Sequence, residues 1–123
     1  MTVSYYSDLQ VWQKSMVLVK QVYQDTSPYP KDELYALTNQ IRRAAVSIPS
    51  NIAEGHARDS TKEFLHHLSI ALGSLAELET QLMLSRDLRY LPEDRLSPLL
   101  QQTNEIGKMI RGLQKALRKG LGN

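Results

Sequence analysis

Residues 64–82 of the chain read FLHHLSIALGSLAELETQL, and their apolar side chains recur at alternating spacings of four and three. These side chains are Phe64, Leu68, Ala71, Leu75, Leu78 and Leu82. Because an α-helix turns once every 3.6 residues, this spacing places them all on one side of a helix. Ser60 and Glu63 have the spacing of a capping box, so the predicted helix begins after Ser60 and ends near Leu88.

A first segment with the same rhythm lies near the start of the chain. Its apolar positions are Leu9, Trp12, Met16, Val19 and Tyr23. The spacing predicts a helix over about 8–26, with Ser7 or Asp8 as its N-cap. Pro28 and Pro30 interrupt the pattern, because proline has no amide hydrogen and disfavours helical geometry in the preceding residue.

A second segment follows Asp32, which the pattern places at a helix N-cap. Its apolar positions are Leu34, Leu37, Ile41, Ala45, Ile48 and Ile52. Pro49 lies inside it and is expected to bend the helix, because its ring crowds the carbonyl of Ala45 one turn earlier. Gly55 and the polar residues 56–59 are expected to end it.

The last segment has the longest apolar stripe, and it contains two prolines near its start. The stripe consists of Leu96, Leu99, Thr103, Ile106, Ile110, Leu113 and Leu117. Pro92 and Pro98 each suit a first helical turn, so the sequence leaves two possible starting points.

Four amphipathic segments with short connections predict an all-α fold, an antiparallel up-down-up-down four-helix bundle, as one domain over residues 1–123. A short loop cannot carry the chain back along a long helix, so consecutive helices are expected to be antiparallel. No strand pattern competes with this interpretation.

The composition limits the classes of function. No apolar run approaches the roughly 20 residues that span a bilayer, and residues 1–10 lack the features of a signal peptide. We therefore expect a cytoplasmic protein with no membrane partner. The absence of cysteine excludes disulfides, thiolate metal sites and cysteine nucleophiles.

The charges are unevenly distributed along the chain. Residues 104–123 hold five cations and one anion, Glu105, whereas the first 103 residues hold ten cations and twelve anions. Four of these cations recur at spacings of three, four and three, and so share one helix face: Lys108, Arg111, Lys115 and Arg118. This face could bind backbone phosphates of RNA or DNA, or it could be solvated and complement the negative end of the helix dipole.

A second candidate is a polar stripe beside the apolar stripe of the second helix. It contains Arg43, Ser47, Asn51 and Glu54, and Glu77 lies on the corresponding side of the third helix. One interpretation is a structural seam between helices or subunits, for example through an ion pair of Arg43 with Glu77. The other is a polar pocket, which requires several of these groups to be unsatisfied in the free protein.

Residue types that support catalysis or metal binding are present but incomplete. Glu63 and His66 have the spacing of a di-iron ligand pair, yet the chain has no second copy of it. Ser69 follows His66 by three residues, without an evident group to stabilise an oxyanion. We therefore expect no catalytic residues, no metal site and no cofactor, and hence a protein that is not an enzyme.

Three stretches resemble the family of 23S rRNA-intervening sequence proteins, also called four-helix-bundle proteins. They are QIRRAAVSIPSNIAEG at 40–55, LGSLAELETQL at 72–82 and LQVWQK at 9–14. The resemblance implies a four-helix bundle that assembles as a ring-shaped homopentamer, in a family often encoded within insertions of large ribosomal RNA genes. Similar bundles serve as accessory proteins of diversity-generating retroelements, in which a basic surface contacts nucleic acid. The last helix matches the family only in its pattern.

These observations lead to two hypotheses. The first is a non-enzymatic oligomeric scaffold that binds RNA or DNA through the basic face of the last helix, with one face per subunit. The second is a protein-protein interaction adaptor without nucleic-acid binding, in which exposed apolar residues such as Tyr5, Tyr6 and Tyr90 dock a partner.

Overall fold

Four long helices make up most of the chain in the computed structural model, which describes residues 5–122. They are α1 Gln10–Thr26, α2 Leu37–Ala57, α3 Thr61–Asp87 and α4 Glu93–Gly122. Two 3₁₀ turns, Tyr6–Asp8 and Lys31–Glu33, precede α1 and α2. The all-α prediction is confirmed, because these residues contain four helices and no strand.

Each helix packs against the two helices beside it in the bundle, in the order α1, α2, α3, α4 and back to α1. The backbones of the diagonal pairs, α1 with α3 and α2 with α4, stay apart over residues 5–122. Ile41, Leu75 and Ile110 lie in the shared interior, with at most 4% of their surface exposed. The structure therefore has the predicted arrangement of a four-helix bundle around one core.

The apolar stripe of α3 faces this core as predicted. Leu68, Leu78 and Leu82 are completely buried, and Phe64 packs at the edge of the core. Ser60 caps the helix, because its Oγ accepts a hydrogen bond from the amide of Glu63 at 3.2 Å. The Glu63 carboxylate lies 3.9 Å from Arg58. The first half of the predicted capping box is thus present, and Glu63 contributes an ion pair with the end of α2.

The predicted core stripe of α1 is wrong. The buried positions in its body are Val11, Ser15, Leu18 and Val22. The expected stripe contributes half-buried residues, and Tyr23 is exposed. The buried stripe is hard to recognise in the sequence, because the polar residue Ser15 interrupts its apolar positions. Its hydroxyl donates to the carbonyl of Val11 at 2.7 Å, so burial leaves no unsatisfied group.

Two of the predicted N-caps are also wrong. Leu9 is the residue before α1, and its side chain makes no cap. Ser7 and Asp8 instead belong to the 3₁₀ turn that brings the Tyr6 ring edge-on to Trp12 at 5.3 Å. Asp32 lies in the second 3₁₀ turn, and α2 starts only at Leu37.

The predicted core position Leu34 precedes α2 and is 44% exposed instead of lying in the core.

Two prolines, Pro49 and Pro98, are accommodated inside helices. α4 begins directly after Pro92, so Pro98 lies within its first two turns and does not mark its start. Pro49 lies inside α2, which continues to Ala57. The bend at Pro49 stays a prediction.

The connection between α1 and α2 closes one end of the bundle. Tyr29 is buried there, and its ring lies 5.6 Å from that of Tyr90. Tyr90 donates a hydrogen bond to Glu33 at 3.0 Å, which ties this connection to the turn before α4. Nearby, the buried carboxylate of Asp25 accepts a hydrogen bond from Arg95 at 3.0 Å. Residues 27–36 thus wrap around this end, which explains the late start of α2.

The substitution Tyr29→Phe is expected to stabilise the fold. The Tyr29 hydroxyl is buried and makes no well-formed hydrogen bond within residues 5–122, although the Ser85 side chain lies near enough to act on its pKa in the direction opposite to burial. Its removal should increase the free energy of unfolding by about 1 kcal/mol and the Tm by about 4 °C. Thermal unfolding followed by circular dichroism measures this, and a lower Tm would show that the hydroxyl contributes to stability.

Tyr29 also makes the free energy of unfolding depend on pH in alkaline solution. Burial raises the pKa of the Tyr29 hydroxyl above its usual value of 10.0, so the native state favours the neutral form. The stability that the neutral Tyr29 hydroxyl contributes is fully present below the unfolded-state pKa. It is lost as the pH rises through the folded-state pKa. Tyr29→Phe should therefore lose less stability than the wild type above pH 10.0.

Candidate nucleic-acid interface

The C-terminal half of α4 presents the basic face, which we define as Lys108, Arg111, Lys115 and Arg118. All four side chains are exposed, and they span about 15 Å along the helix. Ile106 and Ile110 are buried on the opposite side and fix the rotation of α4, so the cations point away from the core. Glu105 is the last carboxylate on this helix.

The basic face is electrostatically available to an anion. Within residues 5–122, none of its four side chains makes a hydrogen bond or an ion pair. In contrast, Lys14 on α1 is paired with Glu105 at 2.6 Å. A cation already paired must lose its partner before it binds a phosphate, whereas those of the basic face lose only hydration.

The Arg111 side chain lies close to the preceding turn of its own helix. Its guanidinium lies over Gly107, where a β-carbon would come 3.3 Å from Nη1. Arg111 also lines a small cleft of about 140 Å³ together with Glu79. Glu79 accepts a hydrogen bond from Thr103 at 2.6 Å. Glycine at 107 therefore gives the guanidinium room to lie close to its own helix.

The chemistry of this face fits phosphates better than bases. α4 contains no aromatic residue, so the face offers no ring on which an unpaired base could stack. Its guanidinium and ammonium groups suit the regularly spaced phosphates of a nucleic-acid backbone.

The polar stripe of α2 forms a hydrogen-bonded seam with α3. The hydroxyls of Ser47 and Ser74 lie 2.8 Å apart. The Asn51 amide donates to the Ser47 carbonyl at 2.8 Å and to its Oγ at 3.0 Å. Asn51 Oδ1 also lies 3.1 Å from Nδ1 of His67. Ser47 and Asn51 are thus satisfied within the chain, which supports a structural role for the centre of the stripe.

The charged members of the stripe lie outside this seam. Glu54 pairs at 3.0 Å with Arg58, the residue that directly follows its own helix. Arg43 and Glu77 are both exposed, and neither makes an ion pair within residues 5–122. The expected pair between them is therefore absent inside the chain. Sequence reasoning missed His67 and Ser74, because their role depends on how α2 and α3 align.

Of the three tyrosines of the adaptor hypothesis, Tyr5 and Tyr6 are exposed as expected, whereas Tyr90 is not. Tyr5 is 68% exposed and Tyr6 is 40% exposed. Tyr6 lines a groove with Trp12, whereas Tyr90 is half-buried at the end closed by Tyr29. The expectation that Tyr90 is available to a partner is therefore wrong.

The arrangement of side chains also bears on metal ligation and membrane insertion. Over residues 5–122, no three His, Cys, Asp or Glu side chains come together in a way that could hold a metal ion. Glu63 and His66 thus lack further ligands here.

Among the helices of this part of the chain, none combines the length and the apolar character needed to cross a membrane.

Comparison with known proteins identifies the family. The family model for 23S rRNA-intervening sequence proteins matches residues 7–112. A crystal structure from Bacteroides thetaiotaomicron, of a protein with unknown function from the S23 ribosomal protein family, superimposes with a TM-score of 0.79. It is 24% identical in sequence, and the match covers 85% of this chain and 95% of that one, so it shows a shared fold. No curated protein matches the sequence. Because the family model covers most of its length, the chain belongs to the 23S rRNA-intervening sequence protein family.

Proposed function

We propose that this protein is a non-enzymatic homo-oligomeric scaffold, a homopentamer, that binds RNA or DNA through the basic face of α4. The observation that supports this proposal best is the row of four exposed cations without partners within residues 5–122. Binding through phosphates is largely independent of base sequence, and each contact is weak. A pentamer would present five such faces, so weak contacts could add by avidity.

The test compares two variants that each lose four positive charges. The first replaces the basic face with alanine at Lys108, Arg111, Lys115 and Arg118. The matched control replaces four exposed cations outside α4 with alanine: Lys20, Lys31, Lys62 and Arg89. Fluorescence anisotropy with labelled duplex RNA and duplex DNA at low salt measures the affinity, and circular dichroism checks the fold.

We expect the α4 variant to bind at least about tenfold more weakly, because four phosphate contacts are lost while the control retains them. Equal binding by the α4 variant and the wild type would contradict the role of the basic face. No binding by the wild type at low salt would contradict nucleic-acid binding altogether and favour the adaptor hypothesis.

Analytical ultracentrifugation tests the oligomeric part separately. The proposal requires a mass five times the 14.0 kDa of one chain. A single-chain mass would remove the contribution of avidity and leave only the affinity of one basic face.

A further inference from the structure

A groove of about 560 Å³ opens on the surface where the end of α1 meets the first half of α2. Its volume falls within the range of about 300–1,000 Å³ that is typical of sites for small organic groups. We call it the α1–α2 groove and define it by Tyr23, Tyr35, Asn39, Arg42, Arg43 and Val46. None of the described residues that line it is acidic. The groove therefore suits a ligand that carries negative charge.

Two adjacent arginines give the groove its positive charge. Arg42 Nε donates a hydrogen bond to Thr26 Oγ1 at 3.0 Å, and its guanidinium carbon lies 4.6 Å from the centre of the Tyr23 ring. These contacts hold this guanidinium in place before a ligand binds, which reduces the entropy lost on binding. Arg43 is exposed, and its side chain makes no hydrogen bond or ion pair within residues 5–122. One positioned cation and one adaptable cation thus line the same space, which suits the oxygens of a phosphate.

Tyr35 supplies a flat aromatic surface beside these arginines. It is 91% exposed, so folding leaves its ring open to contact with another molecule. Val46, which is 38% exposed, adds apolar area to the same groove. An aromatic side chain of this kind is a platform on which a nucleic-acid base can stack, whatever the identity of the base.

Asn39 adds a polar group that can meet the edge of a base. It lies one helical turn before Arg43 on the same side of α2, and its side chain is exposed. The side-chain amide makes no hydrogen bond within residues 5–122. An amide offers both donors and an acceptor, so it can bond to the edge of any base.

The combination of an open ring with two arginines indicates the class of ligand. A phosphate alone would leave the Tyr35 ring without a partner, and an apolar molecule would leave the charge of Arg43 uncompensated. A nucleotide joins an aromatic base to a phosphate through one sugar, so it satisfies both. In a duplex the bases stack on one another, whereas an unpaired nucleotide exposes the face of its base to an aromatic side chain.

We propose that the α1–α2 groove binds an unpaired nucleotide of single-stranded RNA or DNA, with the base stacked on Tyr35 and the phosphate held by Arg42 and Arg43. This site differs from the basic face of α4 in chemistry, because α4 contains no aromatic residue. It also differs in place, because α2 and α4 lie diagonally across the bundle. The inference goes beyond the proposed function, which rests on the phosphates alone and requires no unpaired base.

Two single strands that differ only in their bases test the stacking. A labelled strand of thymidines cannot pair with itself, and an abasic strand of the same length carries the same phosphates without bases. Fluorescence anisotropy with the full chain measures both affinities at one salt concentration, so the phosphate contribution cancels in their ratio. We expect the thymidine strand to bind on the order of tenfold more tightly than the abasic strand, because stacking of a single base contributes about this factor.

Substitutions in the groove assign this preference to individual side chains. Tyr35→Ala should abolish it, whereas Tyr35→Phe should retain it, because phenylalanine keeps the ring. Arg43→Gln should weaken the binding of both strands, since it removes a phosphate contact. Lys62→Gln at the exposed start of α3 removes the same charge outside the groove and should leave both affinities unchanged. All four positions are exposed or change little in size, so the circular dichroism spectra should match the wild type.

Several results would overturn the site. They are equal affinity of the wild type for the two strands, no binding of either strand, or a preference that survives Tyr35→Ala. A peptide of alternating glutamate and tyrosine that binds as tightly as the thymidine strand would instead assign the groove to an acidic protein segment. Analytical ultracentrifugation of Tyr35→Ala should give the wild-type mass, because a changed mass would attribute the lost binding to assembly.

The experiments separate this inference from the function proposed above. Tyr35→Ala should bind duplex DNA as the wild type does, because a duplex offers no unpaired base to the groove. Failure of the groove would therefore leave duplex binding intact. Failure of the basic face of α4 would leave the preference for the thymidine strand over the abasic strand intact.

Discussion

Gly55→Ala is expected to destabilise the protein, although alanine is the better helix former. A β-carbon at position 55 would lie 2.6 Å from Cβ of His67 and 3.0 Å from Cδ1 of Phe64. The first of these atoms is bonded directly to the backbone of α3, so it cannot rotate away. The two helices must separate to admit the methyl group, which disturbs the hydrogen bond of His67 with Asn51.

The expected loss follows from overpacking and helix propensity. Overpacking a tight contact typically costs about 1–3 kcal/mol, and the intrinsic preference for alanine offsets up to about 1 kcal/mol of this. We therefore expect the free energy of unfolding to fall by about 1–2 kcal/mol. Urea unfolding at a fixed protein concentration measures it, since the stability of an oligomer depends on concentration.

Gly112→Ala is the matched control for this substitution. Gly112 is exposed in α4, and a β-carbon there would meet nothing within 4 Å. Only the helix propensity changes, so this variant should be more stable by about 0.5–1 kcal/mol. If both variants gained the same stability, the close approach of α2 and α3 at Gly55 would not be a constraint.

Binding to duplex DNA is expected to weaken on the order of 100-fold when monovalent salt rises from about 50 to 200 mM. Each cation that neutralises a phosphate releases a condensed counterion, so the logarithm of the binding constant falls linearly with the logarithm of the salt concentration. Four contacts from one basic face correspond to a slope of about −3.6. Faces from several subunits on one duplex would make the slope steeper.

The same titration of the two quadruple variants shows which cations cause the slope. The variant without the α4 cations should lose most of the salt dependence, whereas the variant without Lys20, Lys31, Lys62 and Arg89 should retain it. A slope near zero for the wild type would contradict phosphate contacts as the basis of binding. An equal reduction in both variants would point to net charge as the cause instead of the basic face.

Helix periodicity is the part of the fold that the sequence conveys most directly. In α3 the rhythm of leucines continues without interruption, and the predicted face is the buried face. In α1 two neighbouring stripes compete, and Ser15 makes the true one look less apolar. Whether a serine can be buried depends on a hydrogen bond to Val11, which composition does not reveal.

Of the two candidate sites, the basic face of α4 could be deduced from the sequence, and the hydrogen-bonded seam between α2 and α3 could not. The common side of Lys108, Arg111, Lys115 and Arg118 follows from spacing along one helix, so the residue order is enough to deduce it. The partners of Ser47 and Asn51 could not be deduced in this way, because they lie on α3 and depend on the alignment of two helices. The same alignment leaves Arg43 and Glu77 without an ion pair within residues 5–122.

Four amphipathic helices, their order, the core face of α3 and the basic face of α4 all follow from the amino-acid sequence alone. These properties depend on residues within a few turns of one another, where the geometry of the α-helix is known in advance. The packing of the helices, in contrast, selects the buried stripe of α1, places Tyr29 at one end and brings Gly55 against His67. Such contacts join distant segments, and they depend on how each helix is rotated and shifted against its neighbours.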